Sequence, residues 1–364
     1  MKIITIIGAR PQFVKAAMVS RAIINHNRKT HHPVEEYILH TGQHYDETMN
    51  DVFFKMLNIP YPVWQLDCGR GSHAEMTAAM LMEIEKVLQA NRPDYVLVYG
   101  DTNSTLAGAL AAAKLHIPIV HVEAGLRSFN RQMPEEINRV LTDHLSTFLF
   151  CPTYAAIRNL KNEGITNGVI HTGDVMFDAA LAFGEIAEQT STILTSLHLE
   201  SKQFYLCTLH RAENTDWQER LSQIIQALIE IARPDCPVIL PLHPRTKKQL
   251  HTWRLFSTIE TNKAFRLVKP VDYLEMIMLE KHAKTILTDS GGVQKEAYFH
   301  RTPCITLRDE TEWVETIASG WNQLAGYRIE NILHCLDNSI QRTEIEEYGD
   351  GHAADKIVRT LSNP

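Results

Sequence analysis

Four acidic residues and two histidines of the sequence have the types and settings to move protons. Asp101 lies in Gly100-Asp-Thr-Asn-Ser-Thr105, Glu123 in His121-Val-Glu-Ala-Gly-Leu-Arg127, and Glu135 with Glu136 directly after Pro134. Carboxylates gathered at one place can act as general acid and base on two sides of a substrate. Most have a structural alternative: Asp101 as N-cap of the helical pattern running to Lys114, Glu135 and Glu136 as dipole-favoured residues of a first turn opened by Pro134. Glu123 has no such easy alternative. His210, in Thr208-Leu-His-Arg-Ala-Glu-Asn214, and His243, in Pro241-Leu-His-Pro-Arg-Thr246, could contact a phosphate or a leaving oxygen, or be satisfied core histidines.

Two segments could hold an anion. Gly8-Ala-Arg-Pro-Gln-Phe13 leads into a helix carrying Lys15, so a helix N-terminus with Arg10 and Lys15 nearby suits a phosphate; a surface Arg-Pro turn explains it as well. Thr288-Asp-Ser-Gly-Gly-Val-Gln-Lys-Glu296 repeats the plan. Gly291 and Gly292 let the backbone approach a diphosphate, Ser290 can donate to it, and Glu296 reaches ribose hydroxyls. An Asp/Ser N-cap explains the serine but not both glycines. Neither segment has the GxGxxG of a dinucleotide site or the GxxxxGK[ST] of a P-loop, and no Gly-x-Ser-x-Gly elbow occurs. The 18 histidines include His40/His44 and His116/His121, which straddle strand ends rather than share a helical face, so neither metal nor cofactor is expected.

The elements that must position these residues read as βαβ units. Strand patterns fall at 2–7, 36–39, 95–99, 117–121, 148–151 and 169–172, then at 204–209, 238–242, 265–268, 285–287 and 304–307. This predicts an α/β protein with two Rossmann-like, doubly wound sheets. The polar residues named above lie at or just past the C-terminal strand ends, where open α/β sheets bind ligands. Both halves contribute, so one cleft between two facing domains is expected. The boundaries read as 1–172 for the first domain, 173–350 for the second and 351–364 for a terminal helix.

Composition agrees with an ordinary globular protein: 364 residues, two domains at about 150 residues each. With 44% hydrophobic and 22% charged residues, disordered, collagenous and coiled-coil classes are excluded. Lys+Arg 36 against Asp+Glu 43 gives a net charge of −7, without the basic excess that nucleic-acid or anionic-membrane binding uses. No stretch reaches the roughly 18 apolar residues of a membrane helix. The six cysteines are scattered without a CxxC, as buried thiols of a reducing compartment are, and a cytoplasmic location is expected.

Together, Gly8-Ala-Arg-Pro-Gln-Phe13, Thr41-Gly-Gln-His44, Gly100-Asp-Thr-Asn-Ser-Thr105, His121-Val-Glu-Ala-Gly-Leu-Arg127, Pro134-Glu-Glu-Ile-Asn-Arg139, Thr208-Leu-His-Arg211 and Thr288-Asp-Ser-Gly-Gly-Val-Gln-Lys-Glu296 resemble the non-hydrolysing UDP-N-acetylglucosamine 2-epimerases. The resemblance runs from residue 3 to about residue 326. It implies the two-domain fold of the B-type UDP-sugar glycosyltransferases (GT-B-like), a homodimer, a UDP-sugar substrate, and a last helix crossing back onto the first domain. It implies Asp101, Glu123 and Glu135 as catalytic carboxylates, and His210 beside the diphosphate as stabiliser or proton donor. Arg10, Lys15, His243, Ser290, Gly291 and Gly292 would hold UDP, with Glu296 on the ribose. Gln43, His44, Arg139, Arg308 and Glu312 would contact the sugar or support the site.

The resemblance also names C2 as the reacting carbon. A C2 proton of a UDP-N-acetylhexosamine has no adjacent carbonyl to acidify it, and no NAD fingerprint supplies an oxidation. Elimination remains: UDP leaves C1 as a base takes the C2 proton, and UDP re-adds to the 2-acetamidoglycal as an acid protonates the other face. Departures from the commonest family pattern are Gln12 after Arg-Pro, Trp313 in Thr311-Glu-Trp, and His73 where many members carry an allosteric Gln. With Leu149-Phe-Cys-Pro-Thr153 and Asn159-Leu-Lys-Asn-Glu-Gly164, these resemble the branch acting on UDP-2,3-diacetamido-2,3-dideoxyglucuronate for bacterial surface polysaccharide. For its extra carboxylate and acetamido group, Arg127, Arg131 or Trp313 could supply contacts. A hydrolysing epimerase and a UDP-dependent glycosyltransferase are the alternatives.

Overall fold

The computed structural model describes residues 1–43 and 59–362 apart from the side chain of Arg10, so that side chain and all of His44 lie outside the described residues. The chain divides into two compact units, Met1–Ala179 with Glu346–Pro364, and Ala180–Ile345.

The first unit is built on a seven-stranded sheet: β1 (Lys2–Ile7), β2 (Glu35–His40), β3 (Trp64–Gln65), β4 (Tyr95–Tyr99), β5 (Ile119–Val122), β6 (Phe148–Cys151) and β7 (Val169–His171), in the order β3-β2-β1-β4-β5-β6-β7. The second carries six: β8 (Tyr205–Thr208), β9 (Val238–Pro241), β10 (Phe265–Val268), β11 (Thr285–Thr288), β12 (Cys304–Thr306) and β13 (Asn322–Leu324), in the order β10-β9-β8-β11-β12-β13. All these pairings are parallel. Helices cover both faces, which is why central strands such as Lys2-Ile-Ile-Thr-Ile-Ile7 read as apolar runs without alternation. The α/β class with two doubly wound sheets is as expected, and β3 and β13 are additions. Both are edge strands of two and three residues, too short to leave a periodic signal.

In the first unit Ile4, Ile6, Val96, Val98 and Ile119 pack on Met80, Ile84 and Ala107 of the covering helices. In the second, Leu240 and Ile305 pack on Leu221, Ile224, Leu228 and Leu250. Each such fully buried aliphatic side chain contributes roughly 1.5–3 kcal/mol, so the sheets are stiff platforms for the loops at their C-terminal edge. The last helix, Ala353–Ser362, packs on the helix Arg10–Asn27. Its first turn is held by Asp178, whose carboxylate accepts the N–H groups of Ala353 at 3.1 Å and Ala354 at 2.8 Å.

Candidate active site

In the first unit, β4 and β5 are neighbours and end in Gly100-Asp101 and Glu123. Asp101 is not the helix cap: Thr102 takes that position, its hydroxyl accepting the N–H of Thr105. The Asp101 carboxylate is thereby left to Arg139, whose Nη2 donates to Oδ2 at 2.5 Å. Asn138, from the same helix as Arg139, donates to the Asp101 carbonyl at 2.9 Å and to Asn103 at 3.2 Å. Glu123 has a left-handed backbone, φ 71°, rare for a residue with a side chain and a mark of functional sites. Its Oε2 pairs with Lys15 Nζ, both side chains being about nine-tenths buried at 11% and 9% exposure. Gly100, at φ 62°, makes room for this pair, because a Cβ there would lie 3.1 Å from Glu123 Oε2 and 3.3 Å from Lys15 Nζ. A water-sized cavity of about 10 Å³, lined by Lys15, Glu123, Thr172 and Asp174 among others, adjoins the pair.

Glu135 and Glu136 separate. Glu136 is buried, accepting the N–H groups of Ser128 and Phe129 and the Ser128 hydroxyl at 2.9–3.0 Å, with Arg139 Nη1 at 3.2 Å. Glu135 stands exposed in the first turn, away from these hydrogen bonds. Gln43 accepts from the Ser104 N–H at 3.0 Å and hydroxyl at 2.7 Å, fastening the β2 loop to the helix after Asp101.

Sequence reading treats Gln12 only as a departure from a pattern, whereas here it is a four-bond lock. Its Oε1 accepts from Gly8 N at 2.8 Å and Ala9 N at 3.0 Å; its Nε2 donates to the Tyr99 carbonyl at 2.9 Å and Thr105 Oγ1 at 3.0 Å. With alanine at the N-cap, the residue three positions on satisfies the orphan amides. Arg127 departs from expectation in the other direction. Its guanidinium is spent internally on Glu163 (2.7 and 2.8 Å), Asp143 (2.6 Å) and the Leu126 carbonyl (2.7 Å), and its side chain is 1% exposed. It cannot also receive a substrate carboxylate without breaking a buried network. Trp313 is buried under Lys295, whose Nζ lies 4.2 Å from the ring centroid.

In the second unit, β8 and β11 are neighbours, and the fully buried Asp289 organises their ends. It accepts the N–H of His210 at 3.1 Å and of Arg211 at 3.0 Å, the Asn214 amide at 3.3 Å, and lies 3.3 Å from His210 Nδ1. With Nδ1 turned to Asp289, His210 presents Nε2 outward. Burial lowers the His210 pKa, the Asp289 charge opposes this, and Arg211 and Arg245 add to the lowering, so the ring is neutral near pH 7. His243 lies next to it, ring centroids 5.7 Å apart, and caps its own helix by accepting the Arg245 N–H at 3.2 Å.

Ser290 occupies the N-cap of the helix Gly291–Phe299 with no capping bond from its hydroxyl, and helix N-termini of this kind bind anions. The Glu312 carboxylate stands against Gly291, close enough that a Cβ would collide with it, and is held by Arg308 Nη1 at 3.0 Å. Arg308 is itself buried, 3.5 Å from Glu213, so it supports Glu312 from behind. Gly292 is exposed and Glu296 half-buried one turn on. Among the described residues no group of three or more His, Cys, Asp or Glu could hold a metal ion.

The family model for UDP-N-acetylglucosamine 2-epimerase matches residues 26–362. The chain belongs to that family. This family member is 54% identical to a UDP-N-acetylglucosamine 2-epimerase homolog of Methanococcus maripaludis over all of both chains. It is 52% identical to UDP-2,3-diacetamido-2,3-dideoxy-D-glucuronate 2-epimerase of Pseudomonas aeruginosa, over 100% of this chain and 99% of that one. The crystal structure of the Methanocaldococcus jannaschii UDP-GlcNAc 2-epimerase in complex with UDP-GlcNAc and UDP superposes with a TM-score of 0.90 at 46% identity, covering 100% of each chain. The enzyme is thus an isomerase, a UDP-sugar 2-epimerase. Among its described residues no helix is long and apolar enough to cross a membrane.

Proposed function

We propose that the enzyme interconverts UDP-2,3-diacetamido-2,3-dideoxyglucuronate, or UDP-N-acetylglucosamine, with the manno epimer by eliminating UDP and adding it back. The observation that carries this reading is the pair of carboxylates on adjacent strand ends of one unit, Asp101 held by Arg139 and Glu123 held by Lys15. Each carboxylate thus faces a cation from a neighbouring helix, and a carboxylate is the group that can act as a base. One carboxylate takes the C2 proton while the C1–O bond breaks and its electron pair leaves with UDP. A 2-acetamidoglycal remains. UDP then re-adds at C1 as an acid group returns a proton to the opposite face of C2, so atoms and charge balance.

Departure of UDP places charge on a diphosphate oxygen. In this reading the Ser290 hydroxyl, the amides of Gly291 and Gly292, Arg10 and His243 stabilise that charge, and Glu296 takes the ribose; His210, aligned by Asp289, joins them once its Nε2 carries a proton. Lys15, assigned to UDP by resemblance, serves the reaction instead by holding Glu123. Glu135, exposed in its turn, is kept as the third acid/base group, with Gln43, Arg139, Arg308 and Glu312 supporting the sugar and nucleotide. The diacetamido uronate is favoured by the Trp313 and His73 departures, and relatives named for both substrates are similarly identical, at 54% and 52%. Since Arg127 is engaged, Arg131, which is exposed, is the candidate for the C6 carboxylate. A cytoplasmic homodimer supplying surface-polysaccharide synthesis completes the reading.

Incubation in D₂O with each UDP-sugar, followed by proton NMR at C2 and phosphorus NMR of the nucleotide, tests it. Deuterium at C2 with intact gluco and manno UDP-sugars is the expected result, and the reacting compound names the substrate. Accumulation of UDP with free sugar would place the enzyme among hydrolysing epimerases. Absence of exchange with both compounds would sink the reading.

A further inference from the structure

The turn that presents Asp101 is pinned from behind by a residue with no role in the reading above. His121, on β5, is fully buried. Its Nδ1 lies 2.7 Å from Asp143 Oδ1 and its Nε2 lies 2.7 Å from the carbonyl oxygen of Gly100. A carboxylate and a peptide carbonyl only accept, so each of these short contacts is a hydrogen bond only if the facing nitrogen carries a proton. The other Asp143 oxygen accepts the Gly125 N–H at 3.1 Å and Arg127 Nη1 at 2.6 Å. Burial pushes the Asp143 carboxyl up, but His121 and Arg127 together outweigh it and hold the group below its ordinary value, as a carboxylate.

We infer that His121 donates from both ring nitrogens and is a positioning residue that sets the Gly100–Asp101 peptide for catalysis. Gly100 is gripped on both sides, its N–H donating to the Val122 carbonyl at 3.0 Å and its carbonyl accepting from His121. The same peptide plane carries the Asp101 N–H, so its tilt aims the carboxylate toward Arg139. Gly100 also lies against Glu123 Oε2 and Lys15 Nζ. One buried ring therefore fixes the floor under both carboxylate pairs, and His121, Asp143 and Arg127 form its support, ending on Glu163.

The inference deepens the epimerase reading, and its first test does not depend on that reading. In ¹⁵N-histidine-labelled protein at neutral pH, the His121 signal, identified by its loss in His121→Gln, shows two N–H nitrogens. A single pyridine-type nitrogen at His121 would overturn the proposal. The second test is kinetic. His121→Gln keeps one donor and lowers kcat about 100-fold, in line with a small misplacement of catalytic groups, while KM and UDP affinity stay within about twofold. A kcat within threefold of the native value in folded His121→Gln would refute the positioning role. Loss of native activity in the D₂O assay, with two N–H nitrogens still present, would strike the epimerase reading and leave the ring assignment standing.

Discussion

Lys15 and Glu123 pair in a nearly closed setting. Replacing Lys15 with Met removes the cation beside Glu123; the expected outcome is a loss of kcat of about 100-fold and a stability loss of about 2–3 kcal/mol, below the range for a fully buried pair. Turnover and urea unfolding measure the two, and an unchanged kcat would refute the role given to the pair. Gln12→Leu is the contrasting case. It strands the Gly8 and Ala9 amides, while the Tyr99 carbonyl and the Thr105 hydroxyl keep their bond to each other at 2.7 Å, so a stability loss of about 2–4 kcal/mol is expected, read from the same urea curves. The sequence singled out Glu123, whose type had few structural uses there, and the doubled glycines at 291 and 292, and the structure places both just past strand ends. It was illegible where a side chain turns inward to partners far along the chain. Arg127, suggested as a substrate contact, meets Glu163 and Asp143, and no spacing in the sequence announces that meeting.

Strand ends rather than whole strands carry the chemistry, and two glycines test this. Gly100→Ala forces a Cβ onto a φ of 62° and against the Lys15–Glu123 pair. A stability loss of about 1–2 kcal/mol with a kcat drop of at least about tenfold is expected, checked by thermal melts and turnover. Gly291→Ala collides with the Glu312 carboxylate end, which must shift on its Arg308 bond. Stability should change by less than about 1 kcal/mol while UDP binding by calorimetry weakens about tenfold, one hydrogen bond's worth; equal UDP affinity would remove this helix terminus from the binding site. At this scale the sequence was informative. Each of the eleven expected strands is present, since parallel strands buried on both faces leave unbroken apolar runs. Boundaries moved at β5, where Ile117 and Pro118 precede the strand and Glu123 follows it at once. The two edge strands escaped because two or three residues carry no period.

Stability of the molecule against pH has two opposed contributors in the second unit. Burial, with the charges of Lys281, Lys202 and His282, pushes His300 down to about 4, whereas burial and the nearby Glu296 push Glu280 well up. His300 Nε2 and Glu280 Oε2 lie 3.8 Å apart, a neutral pair rather than an ion pair. The unfolded chain protonates His300 from about pH 6.5 downward and the folded chain only near 4, so this residue costs stability as pH falls, at most about 3 kcal/mol. Glu280 has the reverse sign: the unfolded chain ionises it above about 4.5, the folded chain does not, and stability drains as pH rises. Between about pH 4.5 and 6.5 the two slopes offset each other, so Glu280→Gln should leave a gain in stability as pH rises, and His300→Gln a loss. Urea midpoints at three pH values decide, and parallel slopes in the two variants would refute the assignment.

The helix Ala353–Ser362 lies in the late stretch, Glu346–Pro364, of a unit whose first stretch ends at Ala179. During translation, the nascent first sheet must therefore wait, with one flank of Arg10–Asn27 uncovered, until the ribosome has made the entire intervening unit. A premature stop codon just before Ala353 would spare the unit carrying His210 and Ser290 yet leave the one carrying Asp101 and Glu123 unfinished, a client for chaperones or proteases.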